Sequence, residues 1–210
     1  MSFIDTIPPA AAHGAVAQMY RRQQVAWGFV PNYALVFCHR PEVLRRWGQL
    51  LAEIRRPMDL RRFELVTFAA AHELRNSACT LVHGTKLREF FGDDEIIAIA
   101  EGRTGMLSAA EQALLQFARQ VARDAAAVTA GDVAALRGLG FEDAEIFDVA
   151  AAAAGRAFFT KLLDALGVLA DSPLQSVDEA LRRALTVGRP IDGRACATVP
   201  PAEPAGASAD

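Results

Sequence analysis

Two side chains suited to nucleophilic attack and proton transfer, Cys79 and His83, stand four residues apart in the stretch from Arg62 to Gly84. On a helix that spacing places them on one face, about one turn apart. Asn76-Ser77 interrupts the apolar periodicity just before Cys79, so the thiol falls in the first turn of a new helix. There, unpaired N–H groups and the helix dipole favour an anion. A helix N-terminus and a neighbouring imidazolium both lower a thiol pKa. A shift from about 8.5 to about 6.5 would turn a minor thiolate fraction at neutral pH into the major species. The pattern is that of an activated nucleophile with a histidine base, and a carboxylate is the natural third member. The same spacing admits a plainer reading, a small cysteine packed in a helical core. His72, Cys79 and His83 could also be set against a zinc site, but no fourth ligand stands near them, and no metal is expected.

Other residues of the stretch carry weaker signals. His72 and Glu73 lie just before the break and suit surface or capping roles, or a supporting place in the site. Asn76 is a strong N-cap residue and could also donate a hydrogen bond into a pocket. Lys86 reads as solvated. Trp27, Phe29, Phe63 and Phe68 read as core or subunit contacts, and His13 and His39 have no evident partner.

The elements that must position these residues are helical. Pro8-Pro9 opens a first helix that ends near Gly28, and Pro31-Asn32 turns into a short one. Pro41 suits a helix start, with Val43, Leu44, Trp47, Leu50, Leu51 and Ile54 recurring at helical spacing after it. Asp59 caps a helix to about Leu74, and the break at 75–77 starts the next, to Phe91. Asp93 caps a short helix to Ala100. Ser108 and Glu111 form a capping box, Thr129 caps another short helix, and a long one runs from Asp143 to Leu166. Its stripe Ile146, Val149, Ala153, Phe158 and Leu162 suits the core or a subunit seam. Ser176 to Glu179 reads as a further capping box. No convincing strand or hairpin signal is present.

The 210 residues support one well-cored domain, expected over residues 1–185. Residues 186–210 are poor in large apolar side chains and are expected to form a flexible tail carrying Cys196. Alanine is the commonest residue, which leans the composition toward helix. The net charge of −3 argues against a nucleic-acid surface. No apolar run is long enough to span a bilayer, and the N-terminus shows no secretory pattern. Three cysteines, Cys38, Cys79 and Cys196, suit a reducing cytoplasm better than a disulfide scaffold. No Gly-x-Gly-x-x-Gly or P-loop motif calls for an organic cofactor.

The stretch resembles the core motif of the carboxymuconolactone decarboxylase-like superfamily, which includes the AhpD-type alkylhydroperoxidases and their peroxidase-related subgroup. The peroxidase members carry a Glu about fifteen residues before the second Cys of a C-x-x-C and a His four residues after it. Glu64, Cys79 and His83 match those positions. The FVPN and HRPEVL segments upstream and the run from LSAAEQALL to AEIFDV downstream extend the resemblance over roughly residues 10–170. It implies an all-α, single-domain AhpD-like helical bundle that assembles as a homo-oligomer, trimer or hexamer.

The resemblance implies a thiol-dependent hydroperoxidase, an antioxidant oxidoreductase with Cys79 as nucleophile, His83 as base and Glu64 as orienting carboxylate. One departure stands out: the first Cys of C-x-x-C is Asn76. A sulfenic acid formed at Cys79 then needs an external thiol reductant, or a visit from Cys38 or Cys196. The decarboxylase branch of the superfamily works without a Cys pair. A cofactor-independent lyase or isomerase of a small carboxylate or lactone is therefore an alternative, with His83 as acid–base and Glu64 and Arg62 placing the substrate. A non-catalytic helical oligomer is the third reading.

Overall fold

The computed structural model describes residues 2–200. Ten α-helices lie among the described residues: α1 Gly14–Trp27, α2 Asn32–Val36, α3 Pro41–Arg55, α4 Leu60–Glu73, α5 Ser77–Leu87, α6 Asp93–Ala100, α7 Ala109–Asp124, α8 Ala130–Gly138, α9 Asp143–Ala165 and α10 Glu179–Leu185. Among the described residues extended pairing is limited to two isolated bridges. The all-α reading and the single helical domain hold.

Helix α4 is the axis of the bundle. Its residues from Phe63 to Ala71 are all buried, and it packs on α5, α7 and α9. Small residues make this possible: Ala69, Ala70 and Ala71 let neighbouring backbones approach, while Phe68 and Leu65 fill the gaps. A second apolar cluster joins α1, α2 and α3 to the C-terminal half of α9 through Tyr20, Phe37, Trp47 and Phe159. Gly155 of α9 lies against Trp47, whose ring atoms would sit 3.3 Å from an added Cβ.

Most caps stand where the sequence places them, but Asp93 is the first residue of α6 and Gly92 takes its N-cap position. Asp59, Ser108 and Thr129 accept from the backbone N–H three residues on. The α4–α5 hairpin turns through Arg75, a non-glycine residue at φ 57°, and Asn76 caps α5. The α10 cap differs from expectation: Asp178 accepts from Ala180 and Leu181, while the Ser176 hydroxyl donates to the Pro173 carbonyl. On α9 the buried register runs Ile146, Val149, Ala153, Arg156, Phe159, Leu163, and Phe158 stands about half exposed.

Residues 186–200 contact the helical body at several points. Gly188 N–H donates to Ser77 Oγ, Ile191 bridges to Ala170, and Ala197 pairs with Val30. Asp192 is buried, with Arg194 and the Asn32 amide on its carboxylate. The part of the expected tail over 186–200 is joined to the helical body by backbone and polar bonds rather than by large apolar side chains. Its last ten positions, 201–210, lie outside the described residues.

Candidate functional site

Helices α4 and α5 bring Glu64, Cys79 and His83 together. Asn76 Oδ1 accepts from the Cys79 N–H at 2.9 Å, which fixes Cys79 as the third residue of α5. Four residues on, His83 faces α4. Its Nδ1 lies 2.5 Å from Glu64 Oε2 and 3.2 Å from Thr67 Oγ1. The Thr67 hydroxyl already donates to the Phe63 carbonyl, so its oxygen is left to accept. The network therefore assigns the proton to Nδ1 and leaves Nε2 as the basic nitrogen. Lys86 Nζ stands 3.6 Å from Glu64 Oε1, which has no hydrogen-bond partner. Burial works against the Glu64 carboxylate, but the bond from His83 and the nearby cations together hold it below the usual range.

Cys79 and His83 both line a cavity of about 590 Å³. Its walls are largely aromatic and aliphatic: Trp27, Phe29, Tyr33, Trp47, Phe63 and Phe159 contribute, and Trp47 and Phe159 stack with centroids 5.7 Å apart. The size and lining suit an apolar organic molecule with a few polar anchors.

The electrostatics differ from the sequence reading in one decisive respect. Burial pushes the Cys79 thiol up from its ordinary value, and the cation opposing that shift is Arg156, whose Nη1 lies 3.6 Å from Sγ. His83 gives no help as an imidazolium. Burial, followed by the Arg156 charge, brings its pKa down to about 4, so the ring is neutral at physiological pH. The expected lowering of the Cys79 pKa by a helix N-terminus and His83⁺ is corrected on both counts. The N–H of Cys79 itself is taken by the Asn76 cap, and His83 carries no charge to lend.

Arg156 is the residue that sequence reasoning missed. It stands seventy-seven positions from Cys79 on another helix. A signal was present: its position continues the buried stripe of α9, where Val149, Ala152 and Ala153 precede it and Phe159 and Leu163 follow. A strongly basic residue in such a stripe must face something that compensates it.

Of the remaining candidates, Trp27, Phe29, Phe63 and Lys86 line the cavity and the others fall outside it. His72 stacks on Phe68 at the end of α4, and Glu73 pairs with Arg123. Arg62 pairs with Glu145 and lies over the Phe141 ring, so it does not reach a substrate there. Asn76 shapes the site through its cap of α5. Phe63 and Phe68 are buried and Trp27 is partly exposed at the cavity. His13 caps α1 by its backbone position, and His39 Nε2 meets the Asp5 carbonyl. The three cysteines are free; Cys38 is buried and Cys196 Sγ sits beside Ser172 Oγ. Among the described residues, no cluster of three or more His, Cys, Asp or Glu could hold a metal, and no helix is long and apolar enough to cross a membrane.

The helical fold has counterparts among solved structures. A peroxidase-related protein with an alkylhydroperoxidase AhpD core from Ralstonia eutropha JMP134 superposes with a TM-score of 0.67 at 22% identity, covering 90% of this chain and 98% of its own. A peroxidase-related protein from Silicibacter sp. TM1040 gives 0.71 at 20% identity, covering 83% and 94%. The debrominase Bmp8 gives 0.65 at 17% identity, covering 81% and 91%; a Cys→Ala variant of it was crystallised with 2,3,4-tribromopyrrole. The chain thus has the AhpD-like fold, shared along most of its length. No family model and no curated protein matches the sequence.

Proposed function

We propose that the protein is a one-cysteine, thiol-dependent hydroperoxidase of the AhpD-like type, acting on apolar organic hydroperoxides. The observation that carries this reading is the buried Cys79 thiol in the wall of an aromatic cavity, with the Arg156 guanidinium against its sulfur. Arg156 stabilises the thiolate at the moment it forms, and His83 Nε2 receives the thiol proton. Glu64 on Nδ1 steadies the imidazolium that results.

The sulfur attacks the terminal peroxide oxygen. An S–O bond forms and the O–O bond breaks; the departing alkoxide takes the proton from His83 and leaves as the alcohol. Cys79 is oxidised to the sulfenic acid and the hydroperoxide is reduced. With Asn76 where a resolving thiol would stand, an external thiol condenses with the sulfenic acid, releasing water and forming a mixed disulfide. A second external thiol frees Cys79 and departs as the disulfide. Trapping with dimedone after one equivalent of cumene hydroperoxide tests the first step. The expected adduct maps to Cys79 and is lost in Cys79→Ser; labelling of Cys38 or Cys196 instead would contradict it.

The aromatic lining favours a second reading, thiol-dependent dehalogenation of a small halogenated ring; one structural neighbour is named a debrominase. There two external thiols supply the electrons, halide leaves and a C–H bond replaces the carbon–halogen bond. Halide release from a brominated pyrrole, with no turnover of hydroperoxide, would put this reading first.

A further inference from the structure

Arg156 carries more capacity than Cys79 uses. The residue is 5% exposed, and its Nε is buried without a partner. No carboxylate of the described residues forms an ion pair with it. Its one polar contact is Nη1 to Cys79 Sγ, and a ring contact places its Cζ 5.8 Å from the Phe159 centroid. A neutral thiol does not offset a buried guanidinium, and Glu64, the buried carboxylate that feels its charge, is hydrogen-bonded to His83 and makes no ion pair with it, so the guanidinium stands in the wall of an apolar cavity without a direct anionic partner. The other charged side chains lining that cavity are Arg55, Lys86 and Asp171, so cations outnumber acids. Asp171 does not reach Arg156 in an ion pair; its Oδ1 accepts from the Asn32 N–H at 2.7 Å.

We infer that the cavity is a binding site for an apolar organic acid, with its carboxylate on Arg156 and its hydrocarbon body among Trp47, Tyr33 and Phe159. A guanidinium matches a carboxylate in plane and in donor spacing, which an isolated amine does not. Resting on the hydroperoxidase reading, this names the substrate class: a hydroperoxide that bears a carboxylate. Nη1 touches both sulfur and ligand, so the hydroperoxide group must lie within a few bonds of the acid.

Calorimetry with 2-naphthoate and its neutral counterpart 2-naphthamide tests the site on the full chain. The acid is expected to bind at least about tenfold tighter than the amide. That preference should vanish in Arg156→Met, shrink in Arg156→Lys, and persist in Cys79→Ala, which keeps the guanidinium. Decanoate against decanamide tells whether the body must be aromatic; the acid preference is expected in both pairs. Equal binding of acid and amide to the wild type overturns the inference, as does a preference that survives in a folded Arg156→Met. Should Arg156→Met not fold, an undiminished preference in Arg156→Lys overturns it equally. The two readings fail separately. Arg156-dependent naphthoate binding without sulfenic acid at Cys79 removes the hydroperoxidase, whereas Cys79 oxidation with no acid preference removes this substrate class alone.

Discussion

Replacing Arg156 by Met should change the acidity of Cys79 far more than it changes the fold. Nη1 lies 3.6 Å from Sγ. Two unit charges at that distance attract by about 1 kcal/mol in water and about 4–5 kcal/mol at an effective dielectric near 20. At about 1.4 kcal/mol per unit, the loss would raise the thiol pKa by about 1–3 units. The guanidinium charge is spread over its three nitrogens, so the lower half of that range is the expectation. Below the pKa, each unit costs tenfold in thiolate. Iodoacetamide alkylation of Cys79 near neutral pH should then slow by about 10–100-fold, with the midpoint of its pH profile moved up. Arg156→Lys should fall between wild type and Met. His83→Ala should leave the midpoint nearly in place, since the neutral ring contributes no charge to the thiolate. Stability should be unchanged or raised in Arg156→Met, because a buried unpaired cation is exchanged for an apolar chain of similar length. A pH profile that does not move in a folded Arg156→Met, or one that moves instead with His83→Ala, would refute the reasoning.

Three further outcomes follow from the packing and the charges. His83, held at about 4 when folded, binds its proton more readily when unfolded, so it withdraws stability as pH falls from about 6.5 to 4. Asp171, raised to about 6 chiefly by burial, acts in the opposite sense between about 4 and 6. Urea denaturation across this range should therefore show the His83 slope as the difference between wild type and His83→Gln, and parallel profiles would contradict it. Asn76→Cys should lose the α5 cap at a cost of about 1 kcal/mol yet speed thiol-dependent peroxide turnover by restoring a C-x-x-C. A Cys variant no faster than Asn76→Ala would argue against local resolution. Gly188→Ala would place a Cβ 1.8 Å from the Arg75 carbonyl oxygen, so the arm over 188–200 must shift. It should lower the melting temperature by several degrees and open the arm to proteolysis, whereas removing residues 201–210 should do neither.

What the sequence disclosed and what it withheld follow a physical division. Asn76, Cys79 and His83 act within one helix, so their spacing alone placed the cap, the thiol and the imidazole. Glu64 sits one helix earlier, and it was the family resemblance that pointed to it, because a simple hairpin between α4 and α5 favours His72 and Glu73 as the nearer partners. Arg156 reaches the thiol from α9, and its role depends on a packing register that only the assembled bundle fixes. That residue changed the charge logic of the site: with burial as the larger cause it helps keep His83 neutral, and it takes over as the cation facing the sulfur. The arm over 186–200 was illegible for another reason. Its attachment runs through Gly188 N–H, Asp192 and two backbone bridges, none of which leaves an apolar periodicity to read.

The central claim is that Cys79 reduces organic hydroperoxides with electrons from an external thiol. Its most direct test is steady-state consumption of cumene hydroperoxide by the wild type, by Cys79→Ser and by the double variant Cys38→Ser/Cys196→Ser, each with a small dithiol in excess. The account predicts turnover by the wild type and the double variant alike, proportional to dithiol, and none by Cys79→Ser. Turnover that survives in Cys79→Ser, or that disappears in a folded double variant, would contradict it.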